Sequence, residues 1–190
     1  ELVRLFHGTT VATNAILQEA EPRIGLITTQ GFRDVFEIGR HDVPRRTDVW
    51  GWVKPKRPVP PRLIVEVSER VDMEGEVLTP LDEESCRTAV RQLRDQGVQG
   101  IAVSFLYSFL MPDHEQKVAK IIAEEYPGAF ISLSSEVLPQ FREFERTAAT
   151  ILNAMVMPYV SQYVDRIETR LKDHNINAPL LIMKSNGGVT

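Results

Sequence analysis

The sequence predicts an α/β fold, with a mainly parallel β-sheet flanked by helices and an antiparallel β excursion on one edge. Three β-branched apolar runs support the sheet, and they are Ile24–Thr28, Ile101–Leu106 and Phe130–Leu133. Runs of this kind are typical of strands that are buried on both faces. Segments with apolar residues at helical spacing lie between and after these runs, and most of the joints are short. Alternating strands and helices favour a parallel sheet covered by helices.

The first 40 residues are predicted to form a strand, a helix, a strand and a helix. Leu2–Phe6 is a short β-prone run, and the sequence His-Gly-Thr-Thr at 7–10 ends it. One of these threonines can cap a helix that begins near Val11, because its hydroxyl can accept from a free amide. After the strand at 24–28, apolar residues at 32, 35, 36 and 38 predict a second helix, which ends at Gly39.

Residues 41–80 are predicted to form an extended excursion followed by a β-hairpin. Prolines at 44, 55, 58, 60 and 61 exclude a regular helix or a central strand there, since proline fixes φ and lacks an amide hydrogen. Trp50 and Trp52 favour an ordered segment, and they mark either a partner surface or packing over the sheet edge. Leu63–Val67, Arg70–Asp72 and Val77–Leu78 are predicted to be antiparallel strands, with a Glu-Gly turn before the last of them.

Residues 81–133 show the most regular strand and helix pattern of the chain. Asp82 is a favourable N-cap for a helix that Gly97 closes. After the strand at 101–106, Asp113 and Gln116 have the spacing of a capping box for the next helix. Pro-Gly at 127–128 ends that helix before the strand at 130–133.

A long helix is predicted from about Glu143 to Asp173. Its apolar stripe recurs every three or four residues, at Ala148, Leu152, Val156, Val160, Val164, Ile167 and Leu171. Pro158 should kink or divide this helix, because its ring removes one backbone hydrogen bond and clashes one turn back. Asn175 can end it in the left-handed conformation, and a strand at 179–183 then brings the sequence Ser-Asn-Gly-Gly at 185–188 to its carboxyl end.

Composition excludes several classes of function. The chain has 190 residues, with 22 Lys and Arg against 26 Asp and Glu, and its net charge of −4 argues against binding to nucleic acid. No apolar run reaches the length of a membrane span. The single cysteine, Cys86, is predicted to be a core residue, and it fits a reducing compartment such as the cytoplasm. His7, His41, His114 and His174 lack the spacing of metal ligands, so no metal site built by protein residues is expected.

Three polar segments follow predicted strands, at the edge where open α/β sheets bind ligands. The first consists of His7, Gly8, Thr9 and Thr10, with Asn14 one turn into the helix. Glycine allows a ligand to approach the backbone, while hydroxyls and helix amides can hold an anion or a carbonyl. The alternative is a simple helix cap beside a hydrogen-bonded histidine.

The second segment is Ser185, Asn186, Gly187 and Gly188, for which the alternative is a plain turn. The third is the charged run at 142–147, in which Arg142 or Arg146 could bind a carboxylate or phosphate through the guanidinium fork. Its alternative is a solvated, salt-bridged helix start.

Seven blocks in order along the chain resemble the hydantoinase A/5-oxoprolinase family. They are His7–Ala15, Thr28–Asp34, Glu37–Arg40, Leu133–Pro139, Arg142–Thr147, Leu152–Ala154 and Ile182–Val189. The resemblance implies the first lobe of an actin/Hsp70/sugar-kinase-like core, so residues 1–190 are expected to form one α/β lobe. It also implies an ATP- and Mg-dependent parent enzyme that opens cyclic amides such as hydantoins or 5-oxoproline, with a second subunit of the hydantoinase B type.

The resemblance further implies a cleft lined by the three segments and Arg40, with Arg142 and Arg146 positioning an anion or bracing the cleft. Family members carry Gly-Gly-Thr phosphate loops before the first segment and after the second, and this chain has neither. The chain is therefore expected to be a fragment of a longer protein and to be inactive alone. Two alternatives are a β-type subunit of an ATP-dependent ketone carboxylase and a non-catalytic interaction lobe.

Overall fold

The computed structural model describes residues 4–18, 22–40, 50, 51, 53, 57–183 and 188. The chain divides into two compact units. We call residues 21–155 the sheet unit, and residues 1–20 with 156–190 the split unit. The expectation of one lobe over residues 1–190 stays a prediction.

The described residues of the sheet unit form an α/β core. Its strands are β2 (Ile24–Thr29), β3 (Ile64–Val67), β4 (Arg70–Val71), β5 (Val77–Thr79), β6 (Gly100–Ser104) and β7 (Phe130–Leu133). Its helices are α2 (Val35–Ile38), α3 (Glu83–Asp95), α4 (Asp113–Glu125) and α5 (Ser134–Val137), with a 3-10 turn at Pro61–Leu63. The split unit contains β1 (Leu5–His7), α1 (Val11–Leu17) and β8 (Leu180–Ile182). Helix α6 (Glu143–Asp173) begins in the sheet unit and ends in the split unit.

The main sheet has the order β3-β2-β6-β7, and all of its pairings are parallel. Every residue of β2 and β6 is buried, as their apolar sequences predict. Gly25 in β2 has no side chain where Leu93 of α3 packs, since a Cβ there would lie 2.8 Å from the leucine methyls. The glycine therefore allows α3 to approach the sheet closely.

The segment at 63–79 differs in part from its prediction. Ile64–Val67 pairs in parallel with β2, so it is an edge strand of the main sheet and not part of an antiparallel set. Among the described strands, antiparallel pairing is confined to β4 and β5. The Glu-Gly turn between them is present, with Gly75 at φ 86° and amides 74 and 76 donating to Asp72 Oδ1.

Only part of the proline-rich excursion can be described, because residues 41–49, 52 and 54–56 lie outside the described residues. Trp50 is 96% exposed, so it does not pack over the sheet edge. Val59 is fully buried in the core and anchors the end of the excursion.

Two helix starts test the capping predictions. Asp82 accepts from the amides of Glu84 and Ser85, which confirms it as the N-cap of α3. The capping box at Asp113 and Gln116 is wrong, because α4 already begins at Asp113 and its preceding residue, Pro112, makes no side-chain cap. The next residues, His114 and Glu115, turn inward instead and are buried.

Helix α6 is continuous over its predicted range and contains Pro158, which does not divide it. In the sheet unit its buried face differs from the predicted stripe. Leu152 is 39% exposed, whereas Thr150, Ile151 and Ala154 are fully buried. The buried face is shifted because it carries polar side chains that bond to the ends of the strands, as described below. Among the described residues, no helix is long and apolar enough to cross a membrane.

Candidate functional site

The first candidate segment begins where β1 ends in the split unit. Strands β1 and β8 pair in parallel, with Phe6 opposite Leu181 and His7 opposite Ile182. The Met183 amide donates to the His7 carbonyl at 2.9 Å and continues the pairing by one residue. Parallel strands end at the same edge, so the ends of β1 and β8, at residues 7 and 182, lie side by side.

The backbone after β1 is exposed at Gly8. Among the described residues, a Cβ added at Gly8 would meet only the Met183 sulfur, at 3.9 Å. The Thr9 hydroxyl accepts from the Val11 amide at 3.2 Å, so Thr9 caps the helix start. Thr10 makes no cap, and its hydroxyl accepts from the Asn14 side-chain amide at 3.2 Å.

His7 has a partner that the sequence patterns did not select. Its Nε2 lies 2.7 Å from the Tyr163 hydroxyl, and the two ring centroids are 5.6 Å apart. Tyr163 lies on α6, in the same unit as His7. Nothing in its spacing distinguishes it from the neighbouring residues of the helix.

The second candidate segment cannot be located in full. Ser185, Asn186 and Gly187 lie outside the described residues, and Gly188 is exposed. The pairing of β1 with β8 is thus the evidence that places the end of β8 beside residues 8–10.

In the sheet unit, Arg146 is 1% exposed and its guanidinium forms four hydrogen bonds with protein oxygens. Its guanidinium donates to the carbonyls of Phe105, Gln140 and Phe141 and to the Ser134 hydroxyl. Burial lowers the pKa of Arg146, and the nearby Glu115 carboxylate acts in the opposite direction. Four of the five guanidinium N–H groups can be assigned to these bonds. They favour the bracing role over binding of a ligand.

Arg146 is bridged to the buried carboxylate of Glu115 by a serine hydroxyl. Ser134 donates to Glu115 Oε1 at 2.6 Å and accepts from Arg146 Nε at 3.2 Å. Glu115 also accepts from the amides of Phe105 and Ser135. The network joins α4, α6 and the residues after β6 and β7, so it fixes the carboxyl edge of the sheet.

A second buried group lies at the end of β2. Glu69 Oε2 lies 2.9 Å from His114 Nδ1, and its Oε1 accepts from the Thr29 hydroxyl. The Leu106 amide donates to the same Thr29 oxygen at 3.1 Å. These groups link the loops after β2, β3 and β6. Sequence reasoning missed them, and the one available signal was that a helix start follows the predicted strand at 101–106.

Arg40 and Glu145 form a bidentate ion pair on the surface of the sheet unit. Arg40 Nε and Nη2 donate to the two carboxylate oxygens at 2.9 and 2.6 Å. This bonding lowers the pKa of Glu145. Arg142 is exposed, and its side chain makes no hydrogen bond with any described residue. Arg40, Arg142 and Arg146 belong to the sheet unit, whereas His7 and Asn14 belong to the split unit.

A small pocket in the sheet unit lies beside Arg146 and Thr147 of α6, between Thr28, Ser104 and Phe36. Its volume is roughly that of a single water molecule. It is too small for a nucleotide or a cyclic amide. Within the described ranges, no group of three or more His, Cys, Asp and Glu side chains is placed to hold a metal ion.

Two family profiles match the chain. The profile described as "Hydantoinase/oxoprolinase N-terminal region" matches residues 1–126, and the one described as "Hydantoinase/oxoprolinase" matches residues 146–190. The chain belongs to the hydantoinase/oxoprolinase family. The resemblance seen in the ordered motifs is thereby confirmed.

The relatives whose names state an activity include both cyclic-amide hydrolases and a carboxylase subunit. The chain is 33% identical to the caprolactamase subunit alpha of Pseudomonas jessenii and 36% identical to the acetophenone carboxylase gamma subunit of Aromatoleum aromaticum. Each match covers 96% of this chain and 26% of the relative. The 5-oxoprolinase of Saccharomyces cerevisiae is 31% identical, over 96% of this chain and 16% of that protein. The chain therefore spans about a quarter or less of these relatives.

Two solved structures share the fold. The ATP-dependent caprolactamase of Pseudomonas jessenii superposes with a TM-score of 0.87 at 32% identity, over 98% of this chain and 27% of that one. A nucleotide-free acetone carboxylase gives 0.83 at 26% identity, over 97% and 28%. The predicted α/β class is confirmed, and the structure is consistent with an actin-like first lobe.

Proposed function

We propose that the chain is part of an ATP-dependent enzyme that hydrolyses a cyclic amide, of the hydantoinase or 5-oxoprolinase type. The observation that carries this proposal is the exposed glycine Gly8, beside the parallel end of β8, in a chain of this family. Two of the named relatives are a caprolactamase and a 5-oxoprolinase, and one related structure is titled as ATP-dependent.

The described residues fit contact with a nucleotide or an amide better than they fit metal binding. Gly8 leaves room for a ligand, and Thr10 keeps one hydroxyl hydrogen available after accepting from Asn14. When bound, ATP would supply a phosphoryl group that activates an amide oxygen. We infer that Mg²⁺ would be held by ATP and by residues other than the described ones, which contain no suitable cluster.

We propose that two arginines of the sheet unit brace that unit and do not bind the ligand. Four of the five guanidinium N–H groups of Arg146 are bonded to protein oxygens, and Arg40 is paired with Glu145. We assign both to bracing, whereas the exposed Arg142 stays a candidate for binding an anion.

A carboxylase subunit is the second candidate function. It is favoured by the 36% identity to an acetophenone carboxylase subunit and by the likeness to acetone carboxylase. A non-catalytic interaction lobe is the third, and the exposure of Trp50 and Val53 favours it. For each function we propose a second subunit, of the hydantoinase B type in the hydrolase case, and a reducing, cytoplasmic location that suits the free Cys86.

The test is turnover by the full-length protein purified with its partner subunit. Hydantoin, 5-oxoproline and caprolactam would each be supplied with ATP and Mg²⁺, and acetone and acetophenone with bicarbonate in addition. We expect ADP release that depends on a cyclic amide. ADP release that depends only on a ketone and bicarbonate would establish the carboxylase instead.

A pair of matched variants tests the second segment. Asn186→Ala should lower kcat/KM for the amide by about tenfold or more, the effect of losing a hydrogen bond to a reacting group. Asn177→Ala changes an exposed asparagine on the approach to β8 and should leave turnover unchanged. Equal turnover by both variants, with loss of partner binding on Trp50→Ala, would favour the interaction lobe.

The 190-residue chain is proposed to be inactive alone, because it spans only about a quarter of its enzymatic relatives. Purified chain should therefore release no phosphate from ATP above the level of a mock purification. Phosphate release that persists through a second purification step would contradict this.

A further inference from the structure

His7 and Tyr163 form a hydrogen bond whose direction depends on which ring nitrogen of the histidine carries the proton. His7 is the last residue of β1 and is half-buried, and Tyr163 approaches its Nε2 to 2.7 Å. This is a short distance for a hydrogen bond to nitrogen. Both residues belong to the split unit, so the contact lies within one compact part of the chain.

The direction of this hydrogen bond follows from the chemistry of the two groups. A neutral imidazole has one donor nitrogen and one acceptor nitrogen, and a phenol can donate or accept. An imidazole nitrogen is a stronger base than a phenolic oxygen, so the favoured arrangement has the Tyr163 O–H donating to Nε2. The proton of a neutral His7 then lies on Nδ1, since the bond at one ring nitrogen determines the state of the other.

Among the residues that the structure describes, the Nδ1–H group has no acceptor. Within residues 4–18, 22–40, 57–183 and the few other described positions, His7 Nδ1 has no hydrogen-bond partner. Its own carbonyl is already used by the Met183 amide. A half-buried donor without an acceptor, next to an open glycine, is suited to a ligand oxygen.

We propose that Tyr163 is a positioning residue, which holds His7 with its proton on Nδ1 so that His7 donates a hydrogen bond to an oxygen of the bound ligand. The inference deepens the proposed function and rests on it for the identity of the ligand. Two ligand oxygens share the required chemistry, namely the carbonyl of a cyclic amide and a phosphoryl oxygen of ATP. The kinetic arm of the test below separates them.

The tautomer is measured by NMR on the 190-residue chain with ¹⁵N-labelled histidine, at about pH 8.5, where an ordinary imidazole is neutral. The chain has four histidines, and loss of one signal set in His7→Gln assigns His7. We expect the Nδ1–H form in the native chain and a shift away from it in Tyr163→Phe. Tyr159→Phe, one turn earlier on α6, is the matched control and should leave the His7 signals unchanged. An Nε2–H form in the native chain, or no response to Tyr163→Phe, would overturn the proposal.

Kinetics of the full-length protein test the use of the donor. Tyr163→Phe should lower kcat/KM by about fivefold, as expected for one oriented hydrogen bond, with Tyr159→Phe unchanged. A rise in KM for the amide alone identifies the carbonyl as acceptor, and a rise in KM for ATP alone identifies the phosphoryl group. His7→Asn keeps an N–H donor near the Nδ1 position and should retain more activity than His7→Phe.

The NMR measurement and the kinetic measurement can contradict the proposal independently of each other. Equal kcat/KM for Tyr163→Phe and Tyr159→Phe rules out the positioning role even if the tautomer responds. A native protein with no turnover of cyclic amides would refute the proposed function, and the NMR result would still decide the His7 and Tyr163 pair.

Discussion

Replacing Arg146 with methionine should be among the most destabilising single changes on α6. The side chain is 1% exposed, and methionine fills much of its volume but donates nothing. The change removes hydrogen bonds to Ser134 and to the carbonyls of Phe105 and Gln140, and it removes the positive charge that interacts with the Glu115 carboxylate. Removal of one partner from a buried ionic network costs about 3–5 kcal/mol in the free energy of unfolding.

Arg142→Met provides the matched control. Arg142 lies one helical turn before Arg146, is exposed and makes no side-chain hydrogen bond with a described residue, so its loss should cost less than about 0.5 kcal/mol. Urea denaturation of the native chain, Arg146→Met and Arg142→Met, monitored by far-UV circular dichroism, measures the differences in the free energy of unfolding. Arg146→Lys retains the charge without the planar fork, so its free energy of unfolding should lie between those of Arg146→Met and Arg142→Met. If Arg146→Met and Arg142→Met agree to within about 1 kcal/mol, the bracing role is refuted.

Three further predictions follow from single groups. Burial raises the pKa of the Cys86 thiol to about 12, so Cys86 should react with iodoacetamide at neutral pH only after the chain is unfolded. Hydrogen bonds, first from Arg91 and then from Arg87, lower the pKa of Glu125 from 4.5 to about 2. The stability that Glu125 contributes is therefore complete above about pH 4.5 and is lost as the pH falls towards 2. The free energy of unfolding of Glu125→Gln should accordingly depend less on pH in that interval than that of the native chain. Gly39→Ala should destabilise the chain by about 1–2 kcal/mol in urea denaturation, because Gly39 has φ 64° and the new Cβ would lie 2.5 Å from Arg57 Nη2.

The contrary results are equally specific. Labelling of Cys86 in the folded chain at the rate of a free thiol would contradict its burial. An unchanged acid-unfolding curve for Glu125→Gln would mean that its ion pairs add nothing to stability. Gly31 has φ 86° with nothing within 4 Å of an added Cβ, so Gly31→Ala isolates the backbone cost. If Gly39→Ala costs no more than Gly31→Ala, Arg57 moves aside freely.

Local patterns predicted the elements that depend on nearby residues. The buried run at 24–29, the Asp82 cap and the left-handed Asn175 are all present, because each depends on its own sequence and immediate neighbours. The 31-residue range of α6 was equally clear, since apolar spacing continued over many turns.

The polar network at the strand ends was not predictable in this way. Glu115 is buried by Ser134 and by the Phe105 amide, and these partners come from different segments of the chain. The same sequence pattern around Asp113 fits a helix cap, so local reasoning chose the wrong residue as the important one. From the sequence, Arg142 and Arg146 were equally good candidates for binding an anion. The structure distinguishes them, because Arg142 is exposed and Arg146 is buried.

The pairing of β1 with β8 has a consequence for how the protein is synthesised. These strands come from opposite ends of the 190 residues, while residues 21–155 form a compact unit from one uninterrupted stretch. During synthesis the sheet unit can fold as soon as its own residues have emerged from the ribosome, because domains generally fold as units from the amino-terminal side. Strand β1 must then wait for residues 180–182, and closing so long a loop is slow. Until that moment β1 lacks its partner β8, so the candidate segment at residues 8–10 is made long before the strand that pairs beside it.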